Sequence, residues 1–107
     1  MELITPDHCT LNDGTTLTST VECRIGYGDR TNNVRAMIFD LEGSRVAFSG
    51  ITSDDDPSKF TVYLIQFNKE KPINDNRMPL GYCRRDSYQA FKCSIMVRGI
   101  QMELTCR

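Results

Sequence analysis

Apolar and polar residues alternate along most of this chain, and this period of two predicts β-strands. The first long alternating segment is Thr15–Ile25, whose apolar face contains Leu17, Val21, Cys23 and Ile25. Val34–Leu41 and Arg45–Thr52 follow, and Glu42-Gly43-Ser44 between them predicts a tight hairpin turn. The pattern therefore indicates an antiparallel arrangement from early in the chain.

The second half of the chain continues the alternation. Lys59–Asn68 is the most apolar segment, with apolar residues on both faces, which is typical of a strand at the centre of a sheet or covered on its second side. Tyr88–Val97 and Ile100–Cys106 are predicted to meet at a turn at Arg98-Gly99. Three segments depart from the pattern: we expect loops at Ser53–Ser58 and Lys69–Pro79, and Met1–Asp13 is the least strand-like.

No segment sustains the apolar spacing of three and four residues that an amphipathic helix requires. The pattern gives about six or seven strands, joined mostly by short connections. We therefore predict one all-β domain over residues 1–107, a small antiparallel β-sandwich or barrel.

Composition adds limits on function. Apolar residues make up 39% of the chain, charged residues 25%, and the net charge is −1, which is ordinary for a globular domain. This near-neutral balance argues against nucleic acid as a partner, because phosphate binding draws on clustered Lys and Arg. No stretch approaches the roughly 20 apolar residues of a membrane-spanning helix, so we expect no membrane partner.

Five cysteines occur in the 107 residues, and four of them fall on or next to predicted strands. Cysteines in strands of a small domain usually form disulfides, which persist in an oxidising compartment. We therefore predict a secreted, extracellular protein. Met1–Pro6 lacks the pattern of a signal peptide, which we interpret as a mature chain with an initiator Met in place of its leader. The alternative is a cytosolic protein with reduced, buried thiols.

Sequence spacing favours two pairings and leaves the connectivity open. Cys83 and Cys93 lie on neighbouring predicted strands, and closing so short a loop stabilises a fold by about 2–3 kcal/mol in the chain-entropy treatment. Cys23 and Cys106 are proposed as the second pair, joining the first and last strands. Cys9 is then left as a free thiol or as a bridge between two chains.

Nothing in the sequence marks a catalytic or metal site. His8 and Cys9 are adjacent, so on an extended chain their side chains point in opposite directions and make a poor base–nucleophile pair. The same two residues lack the ligand spacing of a zinc site, and Asp54-Asp55-Asp56 lacks that of an EF-hand. We therefore predict no enzyme, no metal and no cofactor.

Recognition through surface loops is the remaining function class. Aromatic and Arg side chains on rigid loops suit protein binding. The candidates are the loop containing Tyr27, the proline-bearing segment Asn68–Pro79, and a group beside the predicted disulfide made of Arg84, Arg85 and Tyr88.

The C-terminal third carries a family resemblance. Pro79-Leu80-Gly81-Tyr82-Cys83-Arg84 followed by Phe91-Lys92-Cys93 resembles the closing segment of the Alternaria major-allergen family of small secreted fungal β-barrels. That family pairs the two corresponding cysteines and joins two chains through an N-terminal cysteine. The resemblance thus implies a Cys83–Cys93 bond and a homodimer through Cys9. One departure is that Cys23 has no second cysteine before Cys83.

Together these observations predict a non-enzymatic, cysteine-rich secreted effector or elicitor. The resemblance implies a fungal protein that binds a host protein and modulates host defence. Two alternatives are an enzyme inhibitor that uses the constrained Cys83–Cys93 loop, and a cytosolic β-type interaction module.

Overall fold

The computed structural model describes residues 1–15, 17–29, 32–68 and 71–107, and it describes residues 66–68 and 71–77 by their backbone alone. These residues form one antiparallel sheet that curls into a half-barrel. Its strands are β1 (Glu2–Ile4), β2 (Cys9–Asn12), β3 (Thr18–Thr20), β4 (Cys23–Tyr27), β5 (Val34–Leu41), β6 (Ser44–Thr52), β7 (Lys59–Asn68), β8 (Lys71–Arg85), β9 (Phe91–Val97) and β10 (Ile100–Cys106). The all-β prediction is confirmed.

The described residues contain ten strands rather than six or seven. The difference arises mainly in the first 27 residues. Met1–Asp13, which lacks alternation, contains β1 and β2, and the segment Thr15–Ile25 is divided between β3 and β4. Strands of three or four residues are too short to show a period of two, so alternation alone does not detect them.

Strands β4 to β10 lie next to one another in chain order, each paired with its successor. The predicted turns at Glu42-Gly43 and Arg98-Gly99 are confirmed, and all four residues have positive φ angles between 51° and 80°. Two-residue hairpin turns of this kind match the right-handed twist of the flanking strands. The central position of the apolar strand β7, between β6 and β8, is also confirmed.

The N-terminal strands join the two ends of this meander. β1 pairs with β4, while β2 pairs with β10 and carries β3 on its other side. The chain then passes from one end of the sheet to the other, since Val21 donates its backbone N–H to the Cys9 carbonyl (3.0 Å) and Asp40 donates to the Glu22 carbonyl (3.3 Å). Consequently β2 lies between β10 and the chain that leads into β4.

Inward-facing side chains fill the curled sheet with a single apolar cluster. β9 shows the pattern most clearly, because its burial alternates along the strand and Phe91, Cys93, Ile95 and Val97 face inward. Phe39 stacks on Phe48 with ring centroids 5.8 Å apart. Burying a large apolar side chain stabilises a fold by about 1.5–3 kcal/mol, so this cluster is the main favourable contribution to folding.

The predicted loop Lys69–Pro79 falls partly outside the described residues, and from Lys71 onward it belongs to strand β8. Pro79 is accommodated because it pairs with Tyr63, where the β7–β8 ladder shifts register between Val62 and Tyr63 and again between Tyr63 and Ile65. Proline lacks a backbone donor and is tolerated where a ladder is interrupted in this way. The loop prediction was therefore wrong for the part that the structure describes.

Candidate functional site

The predicted Cys83–Cys93 disulfide is present and joins the C-terminal part of β8 to the N-terminal part of β9. The two residues are directly opposite in the ladder, with Cα atoms 4.1 Å apart, so their side chains meet on the same face of the sheet. Both side chains are buried. The covalent bond thus lies beneath the outer surface of these strands and holds it in one geometry.

The second disulfide differs from the prediction: Cys106 is bonded to Cys9, and Cys23 is a buried free thiol. The predicted Cys23–Cys106 bond is wrong because β2 lies between the first and last long strands and places Cys9 opposite Cys106. The hydrogen bonds exchanged by His8 and Arg107 (2.8 and 3.0 Å) fix this register. Because Cys9 is bonded within its own chain, it does not supply the predicted bridge between two chains.

Three of the four predicted binding residues meet in one internal contact. Tyr27 is not on a loop but at the end of β4, where it is only 2% exposed, because its side chain faces the core. Its hydroxyl donates to the Tyr88 carbonyl (2.8 Å), and the two rings meet edge to face at 4.9 Å. The Arg85 guanidinium lies 5.3 Å from the Tyr27 ring and 5.9 Å from the Tyr88 ring.

These contacts brace the rim of the half-barrel. Arg85 donates from Nε to the Pro57 carbonyl (2.9 Å), and the Tyr88 hydroxyl hydrogen-bonds to the Asn32 side chain. We call these five residues the rim cluster: Tyr27, Asn32, Pro57, Arg85 and Tyr88. Burial raises the pKa of Tyr27, and the opposing influence of Arg85 is smaller. The predicted exposure of Tyr27 is wrong, whereas Tyr88 keeps 47% of its surface in solvent.

Arg84 lies on the opposite, solvent-facing side of β8. The strand registers place Lys59 beside Arg84 and Arg84 beside Lys92, so one cation from each of β7, β8 and β9 forms a row across the sheet. Tyr82 lies in the adjacent row and is 65% exposed. We call these four residues the cationic face: Lys59, Tyr82, Arg84 and Lys92.

A shallow groove of about 550 Å³ runs over the cationic face, with the four residues in its lining. Ser94 and Glu103 line its far side, where the Ser94 hydroxyl donates to the Glu103 carboxylate at 2.9 Å. The groove therefore combines an exposed aromatic ring, three cations and, at its far side, one carboxylate.

The positive charge of the cationic face is only partly neutralised. Lys59 lies 4.0 Å from Asp56, an exposed pair. Within the described part of the chain, Arg84 and Lys92 form no ion pair. Asp56 itself is engaged by the hydroxyl and backbone N–H of Ser58, and these hydrogen bonds, aided by the nearby Lys59 and Arg84 charges, lower its pKa.

Sequence reasoning identified Arg84 but missed the other members of the cationic face. Alternation about the buried cysteines indicates that Tyr82, Arg84 and Lys92 face outward, and that signal was available. The lateral row of cations could not be predicted in this way, because it depends on the register between β7 and β8, which alternation does not determine. The other predicted candidate, Asn68–Pro79, lies largely outside the residues whose side chains are described.

Comparison with known proteins adds no relative: no family model, no curated protein and no solved structure matches this chain. Within the described ranges, no helix is both long and apolar enough to cross a membrane. The function proposed below therefore depends on the geometry of this chain.

Proposed function

We propose that this protein is a non-enzymatic, extracellular recognition protein that binds an acidic segment of a host protein through the cationic face. The family resemblance implies that this binding serves an effector or elicitor activity. The observation that carries the binding proposal is the lateral row of Lys59, Arg84 and Lys92 beside the exposed ring of Tyr82.

Charge complementarity identifies the partner's chemistry. Like charges directly opposite each other on neighbouring strands destabilise a sheet, so this row has an energetic cost in the unbound protein. Neighbouring strands lie about 4.8 Å apart, so the backbone positions of Lys59 and Lys92, two strands apart, are separated by about 10 Å. Carboxylates of one extended acidic segment can span that distance and neutralise the row, and the Arg84 guanidinium can donate two parallel hydrogen bonds to one carboxylate.

Rigidity supports the same proposal. Arg84 lies between Cys83 and the rim cluster residue Arg85, and Lys92 immediately precedes Cys93. The backbone beneath both cations is therefore held by a disulfide. A surface that is already ordered loses less conformational entropy when it binds, which favours affinity. Two disulfides are also compatible with a protein that acts outside the cell.

The test compares two double variants with equal loss of charge. Arg84→Ala/Lys92→Ala removes two cations of the groove, and Arg35→Ala/Arg107→Ala removes two cations that lie outside it. Oxidised wild type and both variants are immobilised and exposed to host extracellular fluid. Retained proteins are quantified by mass spectrometry, and the dissociation constant of the best candidate is then measured with purified components.

We expect a partner with an acidic segment that binds wild type and the control variant alike. Its affinity for Arg84→Ala/Lys92→Ala should fall about tenfold or more, because each lost charged contact removes on the order of 1 kcal/mol. Equal losses in the two variants would indicate attraction by net charge alone. If no partner distinguishes the two variants, recognition by the cationic face is refuted.

The second candidate function is enzyme inhibition by the turn between β8 and β9. Residues 86–89 are exposed, and the turn is held by hydrogen bonds from the Asp86 N–H to the Ala90 carbonyl (2.8 Å) and from the Ala90 N–H to the Ser87 hydroxyl (3.1 Å). A constrained, protruding loop of this kind suits insertion into an active site. For an inhibitor, Ser87→Ala/Gln89→Ala should abolish inhibition of a target protease or glycosidase, whereas Arg84→Ala/Lys92→Ala should leave it intact.

A further inference from the structure

The buried free thiol of Cys23 lies beside the Cys9–Cys106 disulfide. The sulfur atoms of Cys9, Cys23 and Cys106 all lie within 4.8 Å of one another. Each of the three residues is no more than 2% exposed. A free thiol is therefore enclosed in the core together with an oxidised pair, and no external molecule has to enter for the three sulfur atoms to react.

The strand arrangement explains this proximity. Cys9 lies on β2, opposite Cys106 on one side, and its carbonyl accepts the Val21 N–H on the other. Cys23 follows two residues after Val21, so in an extended chain its side chain points to the same face. The crossing of the chain from β3 to β4 thus brings the free thiol to the disulfide.

We propose that Cys23 is an internal exchange partner of the Cys9–Cys106 disulfide, so that the chain has a second covalent form in which Cys23 is bonded to Cys9 or Cys106. In this step the Cys23 thiolate attacks one sulfur atom, one S–S bond forms and one breaks. The displaced cysteine leaves as a thiolate and takes up the proton that Cys23 released. The numbers of thiols and disulfides do not change, so no oxidant or reductant is required.

The exchange changes which strands are covalently joined. The Cys9–Cys106 bond ties β2 to β10, the C-terminal strand. A Cys9–Cys23 bond would tie β2 to β4 and release β10 from that link, while a Cys23–Cys106 bond would release β2. In each covalent form, a different one of the strands β2, β4 and β10 is held by hydrogen bonds alone.

The buried environment restrains the reaction near neutral pH. Desolvation raises the pKa of the Cys23 thiol to about 12, so the nucleophilic thiolate is rare. At pH values below that pKa, each increase of one pH unit raises the thiolate population about tenfold, and the exchange rate should rise in proportion. Cys83–Cys93 is not part of this sulfur group and serves as an internal reference.

The first experiment locates the free thiol after incubation of the oxidised protein at pH 7 and at pH 10.5. Each sample is quenched with acid, unfolded and labelled with N-ethylmaleimide at mildly acidic pH. Cleavage before Asp13 separates Cys9 from Cys23, and cleavage after Arg98 separates Cys93 from Cys106. Circular dichroism monitors the fold throughout.

We expect label on Cys23 alone at pH 7, and a growing fraction on Cys9 or Cys106 at pH 10.5, independent of protein concentration. Cys83 and Cys93 should stay unlabelled. Label confined to Cys23 after prolonged incubation of folded protein at pH 10.5 would overturn the proposal.

A second experiment at pH 7.5 decides the matter if alkali unfolds the chain. In Cys9→Ser, oxidised glutathione should convert the Cys23 and Cys106 thiols to a disulfide while it is itself reduced to two glutathione thiols. The matched variant Cys23→Ser should keep Cys9–Cys106 and show no free thiol. Two persistent thiols in folded Cys9→Ser would refute the proximity on which the exchange depends. Neither result bears on binding by the cationic face, so the two proposals fail separately.

Discussion

Cys83 faces the core while its neighbours Tyr82 and Arg84 face solvent, so these three consecutive residues alternate between the two sides of β8. The pleat of a strand enforces this division, because successive side chains point to opposite faces. Arg85 would point inward again, but it lies at the rim, where its guanidinium reaches two aromatic rings and the Pro57 carbonyl. Its charge is therefore used within the molecule rather than in the cationic face.

Tyr27 offers a sharp test of the rim cluster. In Tyr27→Phe the hydrogen bond to the Tyr88 carbonyl is lost, which should lower the free energy of unfolding by about 0.5–1.5 kcal/mol below pH 9. Because burial raises the folded-state pKa, the stability linked to this phenol is present below pH 10 and is lost as pH rises through the raised value. As pH is raised above 10, the free energy of unfolding of Tyr27→Phe should therefore fall less than that of wild type, as measured by urea unfolding.

Tyr82→Phe is the matched control, since the Tyr82 ring is exposed and its hydroxyl makes no hydrogen bond within the described residues. It should change stability by less than about 0.5 kcal/mol. The chain has no Trp, so absorbance near 295 nm follows the phenolates alone. Tyr27→Phe should remove a late-titrating phenol from that curve; an unchanged late phase would contradict a buried Tyr27.

Strands β8 and β9 approach each other closely at Gly81. A Cβ atom there would lie 2.7 Å from the Ser94 carbonyl oxygen and 3.0 Å from the Ile95 Cα, both backbone atoms that cannot turn aside. We expect Gly81→Ala to destabilise the protein by about 1–3 kcal/mol through overpacking. The free energy of unfolding, measured with urea, tests this.

Gly50→Ala is the comparison. Its Cβ would also lie 2.7 Å from a neighbour, but that neighbour is the Val34 Cγ1 atom, at the end of a side chain, and the nearest backbone atom is 3.4 Å away. A smaller loss of stability than in Gly81→Ala is expected, because a methyl group can move more easily than a strand. Equal losses would show that backbone approach is not what requires glycine at position 81.

The turns of this fold follow from local sequence, whereas its strand pairings do not. Glu42-Gly43 and Arg98-Gly99 are recognisable as hairpin turns because glycine adopts positive φ freely. The pairing of β2 with β10 joins residues 97 positions apart at Cys9 and Cys106. No local signal specifies such a contact, which is why the N-terminal segment was expected to be irregular and its cysteine to be a free thiol or a bridge between two chains.

The two disulfides should contribute unequally to the stability of the protein. Cys9 and Cys106 are separated by 97 residues and Cys83 and Cys93 by 10. In the chain-entropy treatment, the longer closure stabilises the fold by about 5 kcal/mol and the shorter one by about 3 kcal/mol. Cys9→Ala/Cys106→Ala should therefore lower the midpoint of urea unfolding more than Cys83→Ala/Cys93→Ala.

Both double variants lose two buried sulfur atoms, so their loss of apolar burial is similar and the comparison isolates loop length. Retained binding to an acidic partner is expected for Cys9→Ala/Cys106→Ala, whose disulfide lies away from the cationic face. A larger effect from the shorter loop would mean that strand geometry, not chain entropy, dominates. That outcome would point to the β8–β9 pair as the most dependent on its covalent bond.

The order of residues along the chain determined the all-β class, the two hairpin turns, the outward direction of Arg84 and the Cys83–Cys93 bond, because each depends on the period of a strand or on near neighbours. Only the tertiary structure decided which cysteine meets Cys106, that Tyr27 is buried, and that Lys59, Arg84 and Lys92 form one row. These features depend on the register and order of strands distant in sequence. Register is set by the packing of the whole core, and no single segment encodes it.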